Sequence, residues 1–378
     1  MKKRLFTPGP TPVPTEIMLK MAEPITHHRL PLFEEVFTET NENLQFLFQT
    51  KQPVITLTSS GTGAMEAAVV NLLSPKDKVL VVRGGKFGAR WAEICQAYGI
   101  EIVPIDIEWG KSVSPSAIRD VLKKEADIKA VFTTQSETST GALNDIEAIA
   151  AIVKDHKALL VVDAITGIGV HDLKPDDWKV DVVVTGSQKG LMIPPGLAFI
   201  SLSSQAWEAL EQSKLPKYYF DLKKALKTMD KKQTPWTPAL TLIIGLNEAL
   251  KMIRKEGLEQ LYARHHRLAE ATRAAVKALG LELLAEHPSN VLTAINIPSS
   301  VDTGALLKYL RDKLGILVAG GQNHLKGKII RIAHLGYMDD FDIITAVSAL
   351  ERGLNQMRYN FKIGSGVEAA QSFLCQQK

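Results

Sequence analysis

The sequence predicts an α/β chain: a mainly parallel sheet covered by helices, plus a smaller C-terminal α+β domain. Three observations lead there. Between residues 54 and 202 short β-branched runs alternate with helical patterns, the mark of successive βα units. Those runs are almost continuously apolar, as strands are when both faces of a sheet are covered. After two long helical stretches, the chain from about residue 257 onward returns to a shorter strand–helix–strand–helix order.

The elements follow in order. Pro8, Pro10, Pro12 and Pro14 make the start an extended segment expected to cross a surface, residues 1–20 in all. A large ligand-binding domain is expected over 21–256. In it Val54 to Thr58, Lys78 to Val82, Ile100 to Ile107, Ala130 to Thr134, Ala158 to Val162 and Val180 to Thr185 read as strands. Ala64 to Leu73, Pro115 to Ala126 and Asp145 to His156 read as helices between them, and Ala239 to Lys255 and Leu258 to Leu279 as a long connector. A small domain, 257–378, carries strands over Val291 to Ile297 and Ile329 to Ile332 and helices over Thr303 to Leu314 and Asp340 to Met357. Beyond Tyr359 the pattern is weak.

Composition removes several functions. A chain of 378 residues suggests two domains, at ~150 residues each. Lys and Arg (45) exceed Asp and Glu (41) by only four, with no basic stripe, so no nucleic-acid partner is expected. Two cysteines, Cys95 and Cys375, cannot build a disulfide framework or a four-cysteine zinc site. None of the nine histidines falls in a zinc-binding pair, and His265 and His266 point apart on a helix, so no metal is expected. Prolines stand where a signal peptide needs an apolar core, and no apolar run approaches the ~18 residues of a membrane helix. The expectation is a cytoplasmic protein without a membrane partner.

Parallel sheets bind ligands at the carboxyl ends of their strands, so the loops there carry the functional signal. Ser59-Ser60-Gly61-Thr62-Gly63, between a strand and a helix, offers backbone N–H groups, hydroxyls and a helix N-terminus to a phosphate; a plain strand–helix turn is the alternative. Asp163, ending an apolar run, can hold a ring nitrogen protonated, or cap a turn. Lys189, in Gly186-Ser187-Gln188-Lys189-Gly190 after a buried strand, can form a Schiff base, or be a solvated loop lysine. Arg331, inside Ile329-Ile330-Arg331-Ile332, can capture a carboxylate, or make an internal salt bridge. All four features suit one ligand, a phosphorylated pyridine aldehyde.

At these residues the chain resembles the class V group of fold-type-I pyridoxal-phosphate aminotransferases, in its alanine–glyoxylate and serine–glyoxylate (serine–pyruvate) branch. Within that group it is similar to cyanobacterial proteins once called the small subunit of a soluble hydrogenase. The resemblance rests on Thr7-Pro-Gly-Pro10, Ser60-Gly-Thr-Gly-Ala-Met-Glu66, Ser136-Glu-Thr-Ser-Thr-Gly141, Val162-Asp-Ala164, Gly186-Ser-Gln-Lys189, Pro194-Pro-Gly196 and Arg331-Ile-Ala-His-Leu-Gly336. It implies pyridoxal 5′-phosphate as cofactor, Lys189 as the Schiff-base lysine and Asp163 as partner of the ring nitrogen. Ser60, Gly61, Thr62 and Gln188 resemble phosphate contacts. Phe87 matches a stacking aromatic, Thr138 a hydroxyl beside the ring, and Arg331 the arginine for the substrate α-carboxylate. Thr234 resembles a threonine lent to the phosphate by a partner subunit, which implies a homodimer, although Lys231-Lys232-Gln233 replace the usual upstream tyrosine.

The implied reaction moves the amino group of serine or alanine to glyoxylate or pyruvate. Aspartate or phosphoserine is the alternative donor, and Arg29 or Arg90 would be the second cation such a donor needs. A class V cysteine desulfurase or lyase would need a thiol near the substrate, and a redox partner subunit would need the cysteine clusters of a metal centre.

Overall fold

The computed structural model describes residues 2–376. Its central sheet has seven strands in the order Val54–Leu57, Ala198–Leu202, Val182–Gly186, Leu159–Asp163, Ile128–Thr134, Lys78–Arg83 and Glu101–Asp106. All run in one direction except Ala198–Leu202, which is antiparallel to both neighbours. Alternation explains the continuous apolar runs. Leu80, Val82, Val131, Leu160, Val162 and Val183 enter the core on one face, while Val79, Val81, Phe132, Val161, Val182 and Val184 enter the core on the other. Each such burial contributes about 1.5–3 kcal/mol.

The sequence reading left out Ala198–Leu202 and the helix Pro31–Phe48, which packs against Leu240–Glu256. It left out a terminal helix too, Ser365–Gln376, which lies along Leu258–Ala278 and Asp340–Gln356.

The second sheet, Glu282–Leu283, Leu292–Asn296, Ile329–Ala333 and Ala319–Gly320, is antiparallel. Alternation aims its functional residue. Ile330 and Ile332 face the helices of this unit, while Ile329 and Ala333 pack with Val170 of the first unit. Arg331 shares their face and is thereby turned toward the large sheet.

The start of the chain needs correction. It is extended only to Pro14, and Thr15–Met21 is a helix seated on Leu240–Glu256. Nor does it cross an open surface. Arg4–Leu5 pairs with Ile316–Leu317, Phe6 is buried, and Pro8 to Thr11 then pass over the carboxyl ends of the large sheet.

Candidate active site

Chain segments far apart in sequence converge where the parallel strands end. Asp163 is the last residue of its strand and is 3 % exposed. Its Oδ1 accepts from the Ile165 N–H at 2.8 Å. Burial, with the Glu137 carboxylate near, pushes its acid up to about 7, while the fields of Arg90 and Lys189 oppose that rise.

The next strand ends at Gly186, and the following turn carries Lys189. Ser187 locks that turn: its Oγ donates to the Pro194 carbonyl at 2.8 Å and its N–H to the Leu197 carbonyl. The Lys189 Nζ donates to the Pro8 carbonyl at 2.6 Å, and the Thr11 hydroxyl donates to the Lys189 carbonyl at 2.9 Å. The proline-rich strap therefore covers the amine. Gly9 lies so close, at φ +129°, that a Cβ there would fall 2.2 Å from Nζ, so any other residue would strain the backbone and push the Lys189 amine aside. Burial pulls the Lys189 amine down to about 8, aided by Arg331 and Arg90 and opposed by Asp163.

Gly61 starts the helix Gly61–Leu72 against the end of strand Val182–Gly186. A Cβ on Gly186 would stand 3.5 Å from the Gly61 nitrogen and 3.3 Å from the Gln188 Oε1. Ser60 holds the N-cap position in extended conformation, yet its hydroxyl makes no capping bond. The Gln188 Oε1 is buried with no partner among the described residues. First-turn N–H groups, hydroxyls at Ser60 and Thr62 and, through its NH2 group, the Gln188 amide gather at one helix end, an arrangement able to receive an anion. Arg90 joins it, donating to the Thr62 Oγ1 at 3.1 Å with its guanidinium carbon 4.8 Å from the Phe87 ring centre.

Arg331 is 5 % exposed, and its bonds answer the question of an internal salt bridge. Nε and Nη2 donate to the Gly320 carbonyl at 3.0 and 2.7 Å, and Nη1 donates to the Thr138 carbonyl at 2.7 Å. No carboxylate lies within 4 Å of it among the described residues. Burial lowers it to about 10, while Glu137 opposes the shift. The Thr138 hydroxyl lies 3.3 Å from that of Thr166, just beyond Asp163 in the chain.

Thr234 stands apart from this group. Its hydroxyl donates to the Trp236 carbonyl at 2.7 Å, and its surroundings are Thr58 and Tyr219 rather than Lys189 or Asp163. Neither cysteine joins the site: Cys95 is sealed in the core, its thiol pushed up to about 12 by burial, and Cys375 is exposed on the last helix. Arg29 is exposed and donates to Gln233. A cavity of about 540 Å³ opens at the amino ends of the strands, among Lys51, His156, Lys179 and Asp181, away from these groups. Sequence reasoning missed the Pro8–Thr11 strap and Glu137, which stood only inside a motif string. No helix among the described residues is long and apolar enough to cross a membrane.

Residues 5–337 match the family model described as aminotransferase class-V. The chain is 46% identical to a Synechococcus protein called soluble hydrogenase, small subunit, over 99% of this chain and 98% of that one. It is 37% identical to the L-aspartate–glyoxylate aminotransferase of Paracoccus denitrificans (97% and 95% covered) and to the serine–glyoxylate aminotransferase of Hyphomicrobium methylovorum (98% and 94%). Among solved structures, ureidoglycine–glyoxylate aminotransferase from Bacillus subtilis superposes with TM-score 0.94 at 30% identity, covering 99% of this chain and 98% of that one.

Proposed function

The chain belongs to the class-V aminotransferases, and from that premise we propose that it binds pyridoxal 5′-phosphate on Lys189 and passes the amino group of serine or alanine to glyoxylate or pyruvate. The observation that carries this reading is Arg331: a buried guanidinium held by carbonyl oxygens, with no carboxylate within 4 Å among the described residues, suits a substrate α-carboxylate.

The residues fit the cofactor. The helix end at Gly61, with Ser60, Thr62 and Gln188, suits its phosphate. Phe87 supplies a stacking face, and Asp163 suits the protonated ring nitrogen. A carboxyl raised to about 7 by burial ionises readily once a cation stands against it. When bound, the cofactor supplies an electron sink for negative charge at the substrate α-carbon. The protein's own residues do the rest. Arg331 fixes the carboxylate, Thr138 stands beside the ring, and Asp163 keeps the ring-nitrogen proton in place. The Lys189 amine would serve as the general base that takes the α-proton and later returns one. Its pKa of about 8 leaves an appreciable neutral fraction near pH 7.5, where an ordinary lysine is neutral in only about one part in a thousand.

Thr234 supports a homodimer in which the partner subunit's Thr234 reaches the phosphate. Around it lie exposed apolar side chains: Ile25, Leu30 and Leu32 on a segment tied by Arg29 to Gln233, and Tyr218 against Trp236. Sedimentation should show a cofactor-loaded dimer; an active, loaded monomer would contradict this.

A second donor, aspartate, is favoured by one observation: Arg90 is half-buried without a carboxylate partner among the described residues. Its bond to Thr62 supports a role at the proposed phosphate end instead, so we assign the substrate carboxylate to Arg331 and expect a preference for small neutral side chains. The test is kcat/KM for serine, alanine, aspartate and phosphoserine with glyoxylate. Serine and alanine should lie within about 1–3 kcal/mol of each other and lead. Preference for aspartate or phosphoserine would overturn the donor assignment.

A further inference from the structure

We propose that Glu137 is a positioning residue that holds Phe87 at the ring site and, through the adjoining Thr138 carbonyl, joins it to Arg331. The proposal rests on the functional reading above, which places the ring beside Phe87.

The helix Lys86–Ala97 has glycine at its N-cap position and so no side chain of its own to satisfy its first N–H groups. Glu137, from the short strand Ser136–Glu137 that follows Ile128–Thr134, supplies the acceptor. Its Oε2 accepts from the Phe87 N–H at 3.1 Å and the Gly88 N–H at 2.9 Å. Its Oε1 accepts from the Ser139 N–H at 3.1 Å and the Ser139 hydroxyl at 2.6 Å. The Ser139 oxygen in turn accepts from the Lys86 N–H at 3.0 Å, closing the assembly on the helix.

This carboxylate is 3 % exposed, and no basic side chain lies within 4 Å of it among the described residues. Backbone donors, one hydroxyl and the helix N-terminus offset part of the cost of burying it, and burial still holds the Glu137 acid above its ordinary range. A buried charge is tolerated only with such a full set of donors, so its place depends on the helix end and the helix end on it. Gly85 makes the room: a Cβ there would fall 2.3 Å from the Glu137 Cδ and 2.5 Å from the Ser139 Oγ. The next residue, Thr138, gives its carbonyl to the Arg331 Nη1 at 2.7 Å. One dipeptide thus fixes the stacking aromatic on one side and the carboxylate-binding arginine on the other.

A double-mutant cycle on the holoenzyme tests this. The rate of pyridoxal phosphate release is measured for the unsubstituted chain, Glu137→Gln, Phe87→Ala and the pair, with thermal midpoints alongside. Each single change should speed release about tenfold, and the pair by little more than either alone, because both remove the same stacking contact. Additive effects near a hundredfold, or unchanged release from a Glu137→Gln protein of lowered midpoint, would overturn the proposal. Should Glu137→Gln fail to fold, Ser139→Ala serves: it keeps the charge and removes the 2.6 Å bond, and should speed release about threefold, unchanged release counting against the proposal. A chain that never binds pyridoxal phosphate would overturn the functional reading as well, so the two failures are distinct.

Discussion

Lys189→Ala is expected to lower kcat by about 10⁴-fold, since on the proposed reading one amine both attaches the cofactor and moves the α-proton. The fold should survive. Lys189 lies in a turn held by Ser187 and Thr11, and its side chain contributes one hydrogen bond, to the Pro8 carbonyl, a loss of about 0.5–1.5 kcal/mol. The pH dependence has a definite sign. Burial and neighbouring cations lower the amine to about 8, so the protonated form dominates below that pH and the nucleophilic form above it. Capture of pyridoxal phosphate by the cofactor-free chain should therefore quicken as pH rises through about 8 and then level off. A flat profile, or normal turnover in the alanine variant, would count against the assignment.

Arg331→Ala should cost about 3–5 kcal/mol in kcat/KM, a hundredfold to several thousandfold, through a raised KM for donor and acceptor alike. Both substrates carry the carboxylate that the guanidinium would grip. Arg331→Lys should recover little, because a point charge cannot bridge the Gly320 and Thr138 carbonyls and also present two parallel donors. Cofactor content should stay near that of the unsubstituted enzyme. Normal KM values in a well-folded variant would make Arg331 a structural strut.

Much of this site is legible in sequence because its signals are local. Asp163 ends an apolar strand, Arg331 interrupts one and Lys189 sits in the turn just after one, and a strand's alternation and direction say where such residues face. What stayed hidden depends on contacts between distant segments. The Pro8 carbonyl meets Lys189 across 181 residues of chain, and no periodicity announces that. Glu137 resembles any loop carboxylate until the end of another helix arrives above it. Ala198–Leu202 lies within a stretch of parallel βα units but closes the sheet antiparallel, without a helix of its own before it.

Reduction of the holoenzyme with borohydride, followed by peptide mapping, tests the central claim most directly. The account predicts a yellow protein that bleaches on reduction, with the phosphopyridoxyl mass confined to the peptide containing Lys189 and absent after prior treatment with serine or alanine. The mass on another lysine, or a colourless protein that gains no mass with pyridoxal phosphate present, would contradict it.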